Sequence, residues 1–292
     1  MHETRPLRHI RHLSDRARWE LTVGDPAPAL ADDVLSYRGY VEHAAPSLRR
    51  REVPTAEIVL VLQLDAKLRM TDPRSPDVTE EVGCSFVAAL SDTYTVTELG
   101  PGWTGLQVNL SPPGAYTLFG VPMHELANRV IELEDVLGAA GRRLTERIGE
   151  AGGWAERFAV LDAFLAERLH SGPTPSTQVV RAWERLQDRP GTDIRSLAEE
   201  VGWSRKHLIA SFREQIGLGP KRVARLLRFR RAVRILDGTT APDWTDLAYR
   251  CGYCDQSHMI REFREFAGAA PREFLRRMLP DGGGVGEDPG DG

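Results

Sequence analysis

In its last third, the 292-residue chain contains one pattern written twice. Leu197, Ala198 and Gly202 recur fifty residues later as Leu247, Ala248 and Gly252. Past the glycine the offset becomes fifty-one, so Leu208, Phe212, Gly217 and Pro220 align with Met259, Phe263, Gly268 and Pro271. An aromatic side chain, Trp203 or Tyr253, follows each first glycine. The single extra residue falls in a turn, where an insertion costs least. Spaced matches interrupted only at a turn require the same local structure twice over.

Each copy reads as helix, glycine turn, helix. In the first, 194–201 is a short helix with Leu197 and Ala198 facing inward, and Gly202 supplies the positive φ that ends it. Ser204 caps the next helix, as Asp255 does in the second copy. Leu208, Phe212 and Ile216 form one buried stripe, and Met259, Phe263 and Phe266 form the other. Ala198 and Ala248 are small where two helices must cross closely. Between the copies, 222–236 reads as one long helix, with Val223, Leu226, Leu227, Phe229, Val233 and Leu236 available to both units. At 1.5 Å per residue it spans roughly 22 Å. That length suits two recognition helices held about one DNA turn (~34 Å) apart, so the pattern predicts a bipartite helix-turn-helix module.

Charge follows the same division. Residues 176–278 hold 20 basic and 13 acidic side chains, a net of +7, while the remainder carries −11 of the overall −4. A basic third on an acidic body suits a polyanion partner. Arginine outnumbers lysine 35 to 3, so the position of the charge carries the argument and the choice of cation does not.

Ahead of the repeat, 1–33 reads as a partly ordered lead-in. From 34 to 110 short β-like runs alternate with turn residues: Ile58-Val59-Leu60-Val61-Leu62, Ser85-Phe86-Val87-Ala88-Ala89, Tyr94-Thr95-Val96-Thr97 and Leu106-Gln107-Val108-Asn109-Leu110. Such spacing favours a small sandwich or barrel. Ser111-Pro112-Pro113-Gly114 is taken as a further turn, and Met123, Leu126, Ala127, Val130 and Ile131 as one helical face. Trp154, Phe158, Leu161, Leu165 and Leu169 form a second face, to be buried either on the same chain or against the same helix of a second copy. The division is therefore 1–33, a sensor and dimerisation domain over 34–170, a linker over 171–177, the DNA-binding domain over 178–278 and a disordered Gly/Asp-rich tail over 279–292. With 41% hydrophobic residues, no apolar run long enough to span a bilayer and no secretory leader, the expected location is the cytoplasm. Three scattered cysteines fit that reducing compartment.

Residues 178–278 resemble the DNA-binding domain of AraC/XylS-type transcriptional regulators. The resemblance rests on Ser196-Leu197-Ala198-Glu199-Glu200-Val201-Gly202-Trp203-Ser204, on Phe212-Arg213-Glu214-Gln215-Ile216-Gly217, on Gly252-Tyr253-Cys254-Asp255-Gln256-Ser257-His258, and on Phe263 through Gly268 to Pro271. It implies seven helices, two helix-turn-helix units and transcriptional control. Helix geometry and the family pattern together nominate Gln256, Ser257, His258 and Arg261 as base contacts in the second copy. Gln suits adenine and Arg suits guanine. The corresponding turns of the first copy present Arg205, Lys206, Ile209 and Ala210, the last two departing from the polar pair common in relatives. Arg213 and Arg264 are placed for phosphates.

The first half also resembles the sensor half of one branch of these regulators, through Gly120-Val121-Pro122-Met123-His124-Glu125-Leu126 and Leu133-Glu134-Asp135. That implies an α+β chain: a cupin-like barrel or sandwich with following helices used for dimerisation, then the all-α domain. Tyr40, Phe86, Tyr94, Trp103, Gln107 and Asn109 are candidates to line a pocket for a small organic effector. The partners implied are promoter or operator DNA, an effector, a second copy of the chain and, for an activator, RNA polymerase. No catalytic constellation, metal set or cofactor motif is evident, so a non-enzymatic chain without cofactors is expected. Cys251 and Cys254 form a C-x-x-C inside the second unit and read as packing; Cys84 is a candidate oxidation-sensitive thiol, and His9 and His12 lack a companion ligand. The alternative reading is the same DNA-binding domain fused to a catalytic or redox-sensing first half.

Overall fold

The computed structural model describes residues 6–13, 18–43, 48–64, 68–83, 85–99, 102–239, 242–278 and 284–286. Strands come first: β1 (Arg8–Leu13), β2 (Arg18–Gly24), β3 (Val34–His43), β4 (Leu48–Glu52), β5 (Ile58–Gln63), β6 (Leu68–Thr71), β7 (Thr79–Val82), β8 (Ser85–Ala88), β9 (Thr95–Leu99) and β10 (Thr104–Leu110). Helices α1 (Pro112–Phe119) and α2 (Met123–Leu126), strand β11 (Val130–Glu132), and helices α3 (Leu133–Leu137), α4 (Ala139–Glu150) and α5 (Trp154–Ser171) follow. The second half is helical: α6 (Thr177–Asp188), α7 (Ile194–Glu200), α8 (Arg205–Ile216), α9 (Pro220–Leu236), α10 (Trp244–Arg250), α11 (Gln256–Ala267) and α12 (Pro271–Arg277), then strand β12 (Gly284–Gly286). Among the described residues no helix is long and apolar enough to cross a membrane.

The strands form two antiparallel sheets, one ordered β1-β2-β3-β10-β5-β8-β11 and the other β12-β4-β9-β6-β7. Central strand β10 shows how residue alternation divides the first sheet. Leu106, Val108 and Leu110 are fully buried and lie opposite Leu62, Leu60 and Ile58. Helix α5 covers that face: the rings of Phe158 and Tyr37 lie 5.3 Å apart, and a Cβ on Gly39 would come within 2.4 Å of Trp154. The opposite face, with Gln107 and Asn109, includes Val61 and Phe86, which pack with Leu68 and Val82 of the second sheet.

The α5 stripe is therefore consumed within one chain. Phe158, Leu161 and Leu165 are buried, and Asp162 accepts hydrogen bonds from the Ala27 N–H and the Tyr37 hydroxyl, both at 2.9 Å. Of the two burials open to this stripe, the structure takes the first, with Phe158, Leu161 and Leu165 buried within the one chain.

Four local expectations are corrected. Residues within 1–33 form β1, β2 and a 3-10 turn at Pro28–Leu30, so His9 lies on a strand, hydrogen-bonded to Thr22 at 3.1 Å. Ser111-Pro112-Pro113 starts helix α1: the Ser111 hydroxyl accepts from Gly114 N–H, and proline at the first positions loses no helical hydrogen bond. The face expected over 123–131 breaks at Asn128, whose φ is 61°, and Val130–Glu132 then pairs with β8. Gly284–Gly286, assigned to the tail by composition, pairs with β4. Cys84 lies outside the described residues.

If α5 belongs to the protomer core, Leu161→Ala should lower the urea-denaturation stability of the full chain by about 2–5 kcal/mol. Light scattering should record the same molecular mass for the variant as for the wild type.

Candidate nucleic-acid interface

The two helix-turn-helix units repeat each other down to single hydrogen bonds. Helix α7 ends at Gly202 (φ 74°) and α10 at Gly252 (φ 82°), the left-handed geometry that favours glycine. The N–H of Trp203 reaches back to Ala198 O and that of Tyr253 to Ala248 O, each at 2.9 Å. Ser204 caps α8 by accepting from His207 N–H, and Asp255 caps α11 by accepting from His258 N–H. The duplication extends to two pairs the sequence reading passed over. Asp193 and Asp243, fifty apart, cap α7 and α10. His207 and His258, fifty-one apart, pack edge-on against Trp203 and Tyr253, with ring centroids at 4.3 and 5.3 Å. Sliding the sequence against itself at the two known offsets would have found both.

These caps direct the first turns of α8 and α11 outward. Leu208, Phe212 and Ile216 are buried on one helix, and Met259, Phe263 and Phe266 on the other. Arg205, Lys206, Ala210 and Arg213 are exposed, while Ile209 is half-buried. On α11, Ser257, Arg261 and Arg264 are exposed, and Gln256 and His258 half-buried. The start of α8 and the middle of α11 open onto one cleft of ≈ 950 Å³, floored by α9. Arg195, Arg205, Lys221, Arg225, Arg228 and Arg261 line it, with Asp193, Glu262 and Glu265 as acidic members. Cations concentrated in a concave surface between two helix ends attract a polyanion. Cys251, in contrast, is buried, and burial pushes its thiol above the ordinary range, which works against thiolate chemistry. Cys254 is exposed in the turn.

The candidates in the first half do not all meet. Tyr40, Trp103, Gln107 and Asn109 cluster: Tyr40 donates to Gln107 Oε1 at 3.2 Å, Gln107 donates to Asn109 at 2.6 Å, and the Tyr40 and Trp103 rings are 5.5 Å apart. Phe86 lies on the same sheet face, through Val61. Gln63, also on that face, is 1% exposed, and neither atom of its amide has a hydrogen-bond partner among the described residues. Tyr94 lies elsewhere, beneath Arg51 and against Gly268.

That position of Tyr94 belongs to a contact between the two halves. Both units are gripped at equivalent places, the glycines that end α8 and α11. At Gly217 an added Cβ would meet Met123 O at 3.1 Å and the Ala127 side chain, because α1 and α2 pack on α8. At Gly268 the carbonyl accepts from Arg51 at 3.0 Å, and nearby the Thr93 hydroxyl donates to Glu265 O. Asp92 pairs with Arg222 at the start of α9 at 3.2 Å. The 171–177 stretch is packed as well: a Cβ on Gly172 would strike Thr117 O, and Ser176 N–H donates to Gln215.

Two glycine substitutions separate this grip from backbone strain. Gly202→Ala and Gly268→Ala both place a side chain at positive φ, at about 1–2 kcal/mol each. Gly202 has open space around it, whereas a Cβ on Gly268 would come within 2.7 Å of Tyr94. Denaturation of the full chain should show the larger loss for Gly268→Ala.

A family model described as a helix-turn-helix domain matches residues 197–277. The chain is 34% identical over 93 residues to the uncharacterized HTH-type transcriptional regulator YbfI of Bacillus subtilis (strain 168), covering 31% of this chain and 33% of that one. To the HTH-type transcriptional activator RhaS of Escherichia coli (strain SE11) it is 33% identical over 112 residues, covering 38% and 39%. The matched segment thus spans little more than a third of these curated relatives. Among solved structures, ToxT from Vibrio cholerae aligns over 82% of this chain and 98% of its own, at 11% identity and a TM-score of 0.47. The duplicated units, their matching caps and the sequence relatives all lie in the same segment, and the comparisons identify this segment as a helix-turn-helix domain.

Proposed function

We propose that the chain is a sequence-specific DNA-binding transcription regulator of AraC/XylS type. The observation that carries this is the pair of equivalently capped helices, α8 and α11, opening onto one arginine-rich cleft. The matched relatives are described as a transcriptional regulator and a transcriptional activator. Each unit would present its second helix to a major groove, with the intervening phosphates facing α9. In the second unit, Gln256, Ser257 and Arg261 would read base edges. In the first, Arg205 and Lys206 would do so, while Ile209 and Ala210 suit thymine methyl groups. Arg213 and Arg264 would hold phosphates.

Under the same reading the first half is a cupin-like sensor. The sheet face with Tyr40, Trp103, Gln107, Asn109 and Phe86 would take a small organic effector, its unpartnered Gln63 amide offering a donor and an acceptor. The grip on Gly217 and Gly268 supplies a route by which occupancy could alter the spacing of the two units. Binding as a homodimer would use a surface other than the α5 stripe, and an activator would also contact RNA polymerase.

A footprint of the full chain on DNA upstream of its own and neighbouring genes tests the central reading. Arg261→Ala should cost ~1–3 kcal/mol at one base position and relax the preference there. Arg264→Ala should weaken binding evenly across sequences and reduce the slope of log affinity against log salt by about one. Equal losses on operator and scrambled DNA for Arg261→Ala would remove its base-reading role.

A further inference from the structure

We infer that Glu262 is a positioning residue that makes the second unit a stricter reader of DNA than the first; the inference rests on the DNA-binding reading above. A glutamate is an unusual core residue, yet this one, on the face of α11 that meets α9, is 2% exposed. Its Oε1 accepts from Arg225 Nε at 2.8 Å and from Arg228 Nη2 at 2.9 Å, both on α9. His258, one turn earlier on the reading helix, brings Nε2 to 3.4 Å from the same oxygen. Tyr253, in the turn between α10 and α11, lies edge-on to His258, with the Arg228 guanidinium 5.6 Å from its ring centre. Burial, and next the charge of Glu262, pushes the Tyr253 hydroxyl well above the usual phenol range.

One carboxylate thus joins the first turn of the reading helix to the shared helix α9, and His258 and Arg228 carry that link on to Tyr253 in the turn. Apolar contact between helices tolerates small slides and rotations, because it has no preferred direction. Charge-assisted hydrogen bonds in a buried site are directional, and moving either partner leaves a buried charge uncompensated. Gln256, Ser257 and Arg261 are on the helix so held, and Arg261 is the neighbour of Glu262 in sequence. The first unit lacks this device. Fifty-one residues earlier stands Ser211, a neutral half-buried side chain, and α8 docks through Leu208, Phe212 and Ile216. His258, pinned between Tyr253 and Glu262, then aligns α11 and does not itself read a base.

The test starts from duplexes that the wild-type full chain selects out of a randomised pool. Competition binding is then measured with single-base variants in each half of the selected site and with a scrambled duplex. Two proteins are compared with wild type: Glu262→Gln, and the double variant Glu262→Met with Arg228→Met. The double variant replaces the buried pair with apolar side chains, an exchange that folded proteins often accept, and it carries the test should Glu262→Gln fail to fold. Discrimination should fall about tenfold in one half-site, the one in which Arg261→Ala also lowers it. Discrimination in the other half-site should stay within about twofold, with each variant referred to its own affinity for scrambled DNA because Glu262 and Arg228 both line the cleft. Unchanged discrimination, or an equal loss across both halves and scrambled DNA, would overturn the inference. Failure of the wild-type chain to select any sequence would overturn the DNA-binding reading as well, and so is distinguishable from a defect confined to the variants.

Discussion

Helix α9 has to serve two units at once, and most of the second half follows from how it does so. Nine of its residues, from Pro220 to Leu236, are buried, yet the same helix carries Lys221 and six arginines. Apolar side chains facing several directions are what a helix needs to pack against neighbours on more than one side. Phe229 is the centre of this packing, with the rings of Phe263 and Phe266 at 4.9 and 5.1 Å and that of Phe274 at 6.4 Å. Every cation on such a helix needs water, a carboxylate or a phosphate, because burying it alone costs several kcal/mol. Arg222 finds Asp92, Arg225 finds Glu262 and Glu265, and Arg228 finds Glu262. Burial lowers the Arg230 pKa, and the charge of Glu57 offsets only part of that. The cations that remain beside the cleft are the ones a phosphate backbone can satisfy.

The two units share a backbone and differ in chemistry. Equivalent caps and glycine turns start and end α8 and α11 at matching positions, and the side chains along the two helices then differ. Ala210 stands where the second copy has Arg261, and Ser211 where it has Glu262. The first unit therefore lacks the buried pairing with α9 that Glu262 gives the second.

The first half is more than an appendage to this module. Most of its buried apolar residues form one continuous cluster with those of the helical half, from Leu30 through Val285, while Val61, Leu68, Val82 and Phe86 pack separately between the sheets. It touches each unit at the glycine that ends the reading helix, from two different elements: α1 and α2 at Gly217, β4 and the residues before β9 at Gly268. A body attached at two equivalent points on a duplicated module can change their separation by changing its own shape. An effector acting on the sheets would need no contact with DNA to be felt there.

Much of the second half is legible along the chain, because its determinants are local. The positive-φ glycines, the Ser204 and Asp255 caps and the 3.6-residue stripes depend on neighbours a few positions away, and the duplication repeats each signal. Where tertiary partners decide, the same signals mislead: proline at 112 and 113 begins a helix, and the apolar run at 123–131 is divided between α2 and β11 once β8 offers Val130 and Ile131 a pairing edge. The sequence left open whether the α5 stripe meets its own sheet or a second copy, and only the closing of Ala27, Tyr37 and Gly39 around α5 shows that it meets its own sheet. The face of β10 turned toward the helices, the grip of Arg51 on Gly268 and the burial of Glu262 between two arginines were likewise invisible, since their partners lie 34 to 217 residues apart. Periodicity says that a face must be buried; which surface buries it is decided by the packing of the whole chain.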